Sequence, residues 1–285
     1  MRSRSALLSL AVLACALADA RPAGAATTRE SEGMVLIPAG VYRPLIRTKD
    51  EPEQVPVAAF SLDARPVTNA EFLAFVRTHP KWRRSRVGPL FSDSGYLAEW
   101  TGDLELGPRA PADAPVVRVS WFAARAFAAA QGKRLPTTAE WERAAAAGFT
   151  SADGSTEEGF TAAVLASFAR PTPSPLPPAG VSRPNFFGAY DLHGLVWEWV
   201  DDFNTAMTTG ESRADTGLER NLFCGAGAVG ARDLRDYPAF MRAGLRSSVR
   251  ANYAVPNLGF RCARSVSDSS PQPSLNAVAP LAISP

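Results

Sequence analysis

In the stretch DLHGLVWEWVDDF, residues 191–203, a glutamate stands between two tryptophans, with a histidine before it and two aspartates after it. Glu198, walled by Trp197 and Trp199, sits where loss of water would raise a carboxyl pKa into the range useful for general acid–base work. The plainer reading is a buried carboxylate paired with an arginine. His193 carries the side chain whose unperturbed pKa lies nearest neutrality, which makes it a candidate proton shuttle or single metal ligand as well as a candidate structural residue. Asp201 and Asp202 offer hard oxygen ligands that suit calcium, and equally suit a solvated or helix-capping role.

Cysteines and arginines extend the set. The chain has three cysteines, Cys15, Cys224 and Cys262. The last two form an even pair that would close a disulfide in an oxidising compartment, worth about 3 kcal/mol by loop entropy. Buried free thiols are an alternative, and so is redox or copper chemistry through them. Arg242, Arg246, Arg250 and Arg261 give the C-terminal part a cationic rim, able to hold an acidic or catecholate substrate or to pair with Glu198, Asp201 and Asp202.

The remaining composition excludes some partners. Net charge is +2, from 30 basic and 28 acidic side chains, with no long run of either sign, so nothing points to nucleic acid or an anionic membrane surface. The basic cluster KWRRSR at 81–86 is short and reads as a solvated loop face.

At the N-terminus two arginines precede ALLSLAVLACALA, an apolar run too short to span a bilayer, and small-residue sites follow at Ala20 and Ala25. This is the pattern of a secretory signal peptide over residues 1–25, which places the mature protein in the periplasm or outside the cell as a non-transmembrane protein. VLAC at 12–15 is an alternative lipoprotein signal that would leave Cys15 acylated.

The elements that must position these residues are legible in part. GMVLIPAGVYRP, 33–44, reads as an opening β-hairpin punctuated by Pro38 and Gly40. Thr68 with Glu71, and Thr137 with Glu140, have capping-box spacing, and Ser120 is a plausible N-cap, so three helices are expected to follow these positions. Gly132 and Gly148 are their expected stops after the second and third. The segment between about 81 and 115 is rich in Gly and Pro and lacks a period. From 150 onward short strands and turns are expected, around 196–200, 222–229 and 257–263, with a disordered tail over 266–285. The architecture is α+β.

Read in order, GMVLIPAG, PVTNAEFLAF, PVVRVSWFAARAFAAAQGKRLPTTAEWERAAAAG, NFFGAYDLHGLVWEWVDDF and NLGFRCAR resemble the formylglycine-generating enzyme, or sulfatase-modifying factor, family across residues 33–264. The resemblance implies a C-type-lectin-like variant fold with little regular secondary structure and a tryptophan-rich core. It also implies oxidative chemistry that family enzymes perform with a cysteine pair, copper and oxygen. Counted back from Asn257 without gaps, those cysteine positions fall at about Pro238 and Ala243, neither a thiol. Where the family commonly reads GNVWEW and uses the asparagine on calcium, this chain has Leu195, which has no oxygen to offer. The phrases around HGLVWEWVDDFNTA and NLFCGAG are more similar to the exported subgroup typified by pyoverdine-maturation and nitrite-reductase-cluster proteins. An iron site of the kind that relatives build from a histidine-rich domain is not available to a chain whose histidines are His79 and His193.

Two functions follow as expectations. One is an oxidative maturation or tailoring enzyme acting on a periplasmic small molecule or metalloenzyme, with Glu198, His193, Cys224 and Arg246 lining one cleft and calcium or copper as candidate cofactors. The other is a non-catalytic binding or assembly protein on the same scaffold. N-terminal sequencing of the exported protein should begin at Ala26 or Arg21; a lipid-blocked Cys15 would instead establish the lipoprotein route.

Overall fold

Three capped helices follow the positions at which their caps are written. The computed structural model describes residues 33–44, 52–204 and 237–266, all within one compact unit, Ser31–Pro285. Helix α1, Asn69–Thr78, begins after Thr68, whose hydroxyl accepts from Glu71 N while the Glu71 carboxylate reaches back to Thr68 N. Helix α2, Trp121–Ala130, is capped by the Ser120 hydroxyl, and α3, Thr138–Ala145, by a second reciprocal box between Thr137 and Glu140. Each box satisfies backbone N–H groups that the first helical turn leaves without partners.

The opening strands do not form the expected hairpin. Strand β1, Met34–Ile37, pairs antiparallel with β4, Phe60–Asp63, while β2, Gly40–Tyr42, pairs with β3, Val55–Val57. Pro38 and Ala39 therefore divert the chain from one sheet to another. Strand β4 also pairs with β7, Ala263–Ser265, so both ends of the domain meet in one three-stranded sheet. Strands β5, Trp197–Glu198, and β6, Leu258–Gly259, run parallel as a two-residue pair.

Two helices lie where strands and turns were expected. Helix α4, Phe160–Phe168, starts after Gly159 without a side-chain cap, so no capping signal marks it in the sequence. Helix α5, Tyr237–Ser248, has Pro238 in its first turn, the one helical location where a missing N–H costs nothing. The strand expected at 222–229, together with Cys224, the leader and the tail, lies outside the described residues.

The core is aromatic. Phe72 of α1 stacks on Phe127 of α2 at 5.8 Å, and Phe127 meets Phe260 edge-on at 5.3 Å. The irregular 83–115 segment adds Tyr96, Leu97 and Trp100, all buried, and Trp100 Nε1 donates to Asn69 Oδ1 at 3.0 Å. Little regular secondary structure is needed because side-chain contacts of this kind do the joining. No helix among the described residues is long and apolar enough to cross a membrane.

Candidate functional site

Register places Glu198. Pairing of β5 with β6 sets Glu198 beside Gly259, and Trp197 N and Trp199 N donate to the carbonyls of Asn257 and Gly259 at 2.8 and 2.9 Å. Trp199 is then core, its indole N–H donating to Val119 O at 2.9 Å. Two residues past Gly259, Arg261 meets Glu198 with Nε to Oε2 and Nη2 to Oε1 both at 2.8 Å. Neither side chain has any exposed surface.

Every N–H of Arg261 is used: Nη1 donates to Asp63 O and Ala64 O at 3.2 and 3.3 Å, and Nη2 also donates to Tyr190 O at 2.8 Å. Glu198 Oε2 additionally accepts the Trp141 indole N–H at 2.7 Å. A carboxylate so committed is an anchor; it has no free oxygen with which to take a proton from a substrate.

Trp141 links this pair to a second one. Its ring is covered by the guanidinium carbons of Arg242 and Arg246, each 5.3 Å from the centroid. Both arginines come from α5 and hold the next residue of α3, Glu142: Arg242 through Nε and Nη2 at 2.9 and 2.7 Å, Arg246 through Nη1 at 2.7 Å. Burial opposes ionisation of Glu142, but the two guanidinium groups outweigh it and hold the carboxyl down at about 2. Burial and the Glu142 charge push the phenol of nearby Tyr42 up to about 12.

Arg242 stands between two openings. On one side is a cleft of about 130 Å³ lined by Trp141, Trp197, Glu198, Arg246, Arg170 and Asn257, with Leu195 contributing an apolar wall. On the other is a cavity of about 540 Å³ lined by Tyr42, Glu142, Arg143 and His193.

The expected constellation therefore divides. Glu198 and Arg246 line the cleft; His193 does not, and lines the cavity instead. The reason is local: the chain turns at Gly194, φ +86°, where α4 comes so close that a Cβ would overlap Ser167, and the imidazole is left pointing back at Ala145 O, 3.0 Å from Nε2. Burial and the Arg242 charge hold His193 down at about 4, so the ring is neutral at physiological pH. Cys262 is a buried free thiol whose pKa is pushed up by burial and by Asp63, and its candidate partner Cys224 lies outside the described residues.

The aspartates are engaged by protein groups among the described residues. Asp202 Oδ1 accepts from Thr138 N and Oγ1 at 2.6 and 2.9 Å at the start of α3, which is the capping role, and Asp201 faces Arg125 at 3.7 Å. Among the described residues no group of three or more His, Cys, Asp or Glu side chains could hold a metal.

Sequence reasoning missed Tyr42, Arg143 and the Trp141–Glu142 pair. One signal was available: WE occurs at 141–142 as well as at 197–198, each time a carboxylate beside an indole.

Comparison with known proteins gives the lineage. Residues 20–266 match the family described as "Sulfatase-modifying factor enzyme 1-like domain". Hercynine oxygenase of Mycolicibacterium smegmatis is 33% identical over 196 residues, covering 58% of this chain and 44% of that protein. Formylglycine-generating enzyme of Bos taurus is 29% identical over 293 residues, covering 81% of this chain and 74% of that protein. The chain thus spans less than half of the hercynine oxygenase it matches. Among solved structures, PvdO from Pseudomonas aeruginosa superposes with a TM-score of 0.41 at 24% identity, covering 82% of this chain and 94% of PvdO.

Two measurements check these assignments. Arg261→Met should cost about 3–5 kcal/mol in urea unfolding because Glu198 is left buried and unpaired, whereas Glu198→Met with Arg261→Met should recover most of the loss. Acid unfolding should show two limbs. His193, held below its unfolded value of 6.5, takes stability away as pH falls from 6.5 to about 4, and His193→Gln should flatten that limb. Glu142, also held down, contributes stability that is full above 4.5 and lost as pH falls towards about 2, and Glu142→Gln should flatten that one.

Proposed function

The chain belongs to the sulfatase-modifying-factor family, and from that premise we propose that it is an exported oxidative tailoring or maturation enzyme working without a cysteine pair. The observation that carries this reading is the cleft itself: an indole face, three arginines and an asparagine converge over a floor fixed by the Glu198–Arg261 pair. A site held that rigidly is suited to positioning a reacting group.

The cleft's volume of about 130 Å³ admits a group the size of a side chain, so the substrate presents one group and keeps its bulk outside. Trp197, tilted against Phe168 at 5.3 Å, offers a flat apolar wall for a planar group. Arg246 and Arg170 favour an acidic or phenolate group. Roles on this chain are therefore Arg246 in substrate binding, Trp197 in orientation, and Glu198 as a positioning residue behind them. Electrons pass to an external oxidant; the relatives' chemistry makes dioxygen the first to test. The signal-like pattern over residues 1–25, ahead of the domain over 33–264, supports a periplasmic address for this activity under the same proposal.

A second reading is favoured by one observation: Glu198 is fully paired, and the one described thiol, Cys262, is enclosed. On that reading the cleft only holds its ligand.

Mass spectrometry of periplasmic small molecules and metalloproteins from cells with and without the gene separates the two. Oxidative tailoring should leave a species in the deletion strain that is two hydrogens heavier or one oxygen lighter than its wild-type form. Arg246→Met should fail to restore the product, and binding without chemistry would leave all masses unchanged.

A further inference from the structure

Three buried polar atoms around the larger cavity have no hydrogen-bond partner among the described residues: Arg143 Nε, Arg242 Nη1 and His193 Nδ1. Each such group, if left unmade, costs about 1–3 kcal/mol, and native interiors rarely leave them so. The Arg242 side chain is 9% exposed and is fixed by Glu142 through its other two nitrogens, so the free Nη1 has a set direction. The Arg143 guanidinium lies over the Phe187 ring at 5.2 Å and flush against Gly40, where a Cβ would come within 2.8 Å of its Cζ. These groups are held in place, and the cavity of about 540 Å³ is the size of a small-molecule site.

Their chemistry specifies a ligand. Guanidinium groups only donate, so Arg143 and Arg242 call for an acceptor, best an anionic one. His193 Nε2 faces the Ala145 carbonyl, which only accepts, so Nε2 bears the proton and Nδ1 of the neutral ring is an acceptor. Among the described residues, the ionic side chains lining the cavity are Arg43, Arg143 and Arg242 against Glu142 and Asp153, a balance of one positive charge.

We propose that this cavity is a second ligand site, separate from the Trp197 cleft, built for a small organic carboxylate that carries its own O–H or N–H donor, a hydroxy acid or a zwitterionic amino acid. The carboxylate lies between Arg143 and Arg242, and the donor meets His193 Nδ1. A plain carboxylic acid leaves Nδ1 unpaired, and an amine without a carboxylate meets two cations. The assignment stands whether or not the cleft oxidises anything.

Calorimetric titration of the mature protein with lactate, L-serine, propionate, ethanolamine and inorganic phosphate tests it. Lactate or L-serine should bind, with propionate and ethanolamine at least about tenfold weaker, the equivalent of one hydrogen bond at about 1.4 kcal/mol. Arg143→Met and His193→Leu should each weaken binding of that acid about tenfold or more. The thermal midpoint of each unliganded variant shows that it is folded. If Arg143→Met does not fold, the lactate-to-propionate ratio on the unmodified protein still decides. Propionate binding as tightly as lactate, phosphate binding in place of both, silence from every probe, or full affinity in both variants would overturn the proposal. Arg170→Met, at a residue that lines the cleft and not the cavity, should leave lactate or serine binding within about twofold, so loss of one site is distinguishable from loss of the other.

Discussion

The buried ion pair between Glu198 and Arg261 is the constraint on which the rest of this structure depends. It takes two charges wholly out of water, an arrangement tolerable only because every donor on the guanidinium finds an oxygen and the carboxylate gains an indole N–H. Those partners come from far apart: Asp63 and Ala64 at the end of β4, Tyr190 in the loop before β5, and Trp141 on α3. One side chain thus ties four segments that share almost no regular secondary structure. In a domain whose strands are two to four residues long, such a polar node does what extended hydrogen-bond ladders do elsewhere.

Trp141 carries that rigidity outward. Its N–H belongs to the buried pair and its face belongs to Arg242 and Arg246, which in turn neutralise Glu142. The two Trp–Glu dipeptides therefore form successive layers, the first closing the floor and the second dividing cleft from cavity at Arg242. A displacement of α5 would be felt on both sides of that partition, because both arginines ride on it.

The chain belongs to the sulfatase-modifying-factor family over residues 20–266. The expected thiol positions near Pro238 and Ala243 fall in α5, the helix that here supplies arginines. Leu195 makes an apolar wall of the cleft. The cleft is lined by guanidinium, indole and apolar surface, which suits recognition by charge and shape. Fold and chemistry are separable in this way because the anchoring pair lies behind the cleft instead of within it.

Local spacing by itself determined the first three helices, since a capping box is written within four residues and needs no distant partner: Thr68 with Glu71, Ser120, and Thr137 with Glu140. The aromatic, irregular character of the core and the family were also legible, because ordered motifs survive without any knowledge of contacts. Helix α4 was not, as it opens on no side-chain cap that a reader could find, and α5 lies in a stretch read as strands and turns. Only the tertiary structure decided that β1 pairs with β4 and not β2, that Asp202 caps α3, and that His193 faces a different opening from Glu198. Those outcomes rest on partners 23 to 64 positions away or on a backbone turn at Gly194 that α4 packs against, and no pattern within a short window encodes where a distant surface will be.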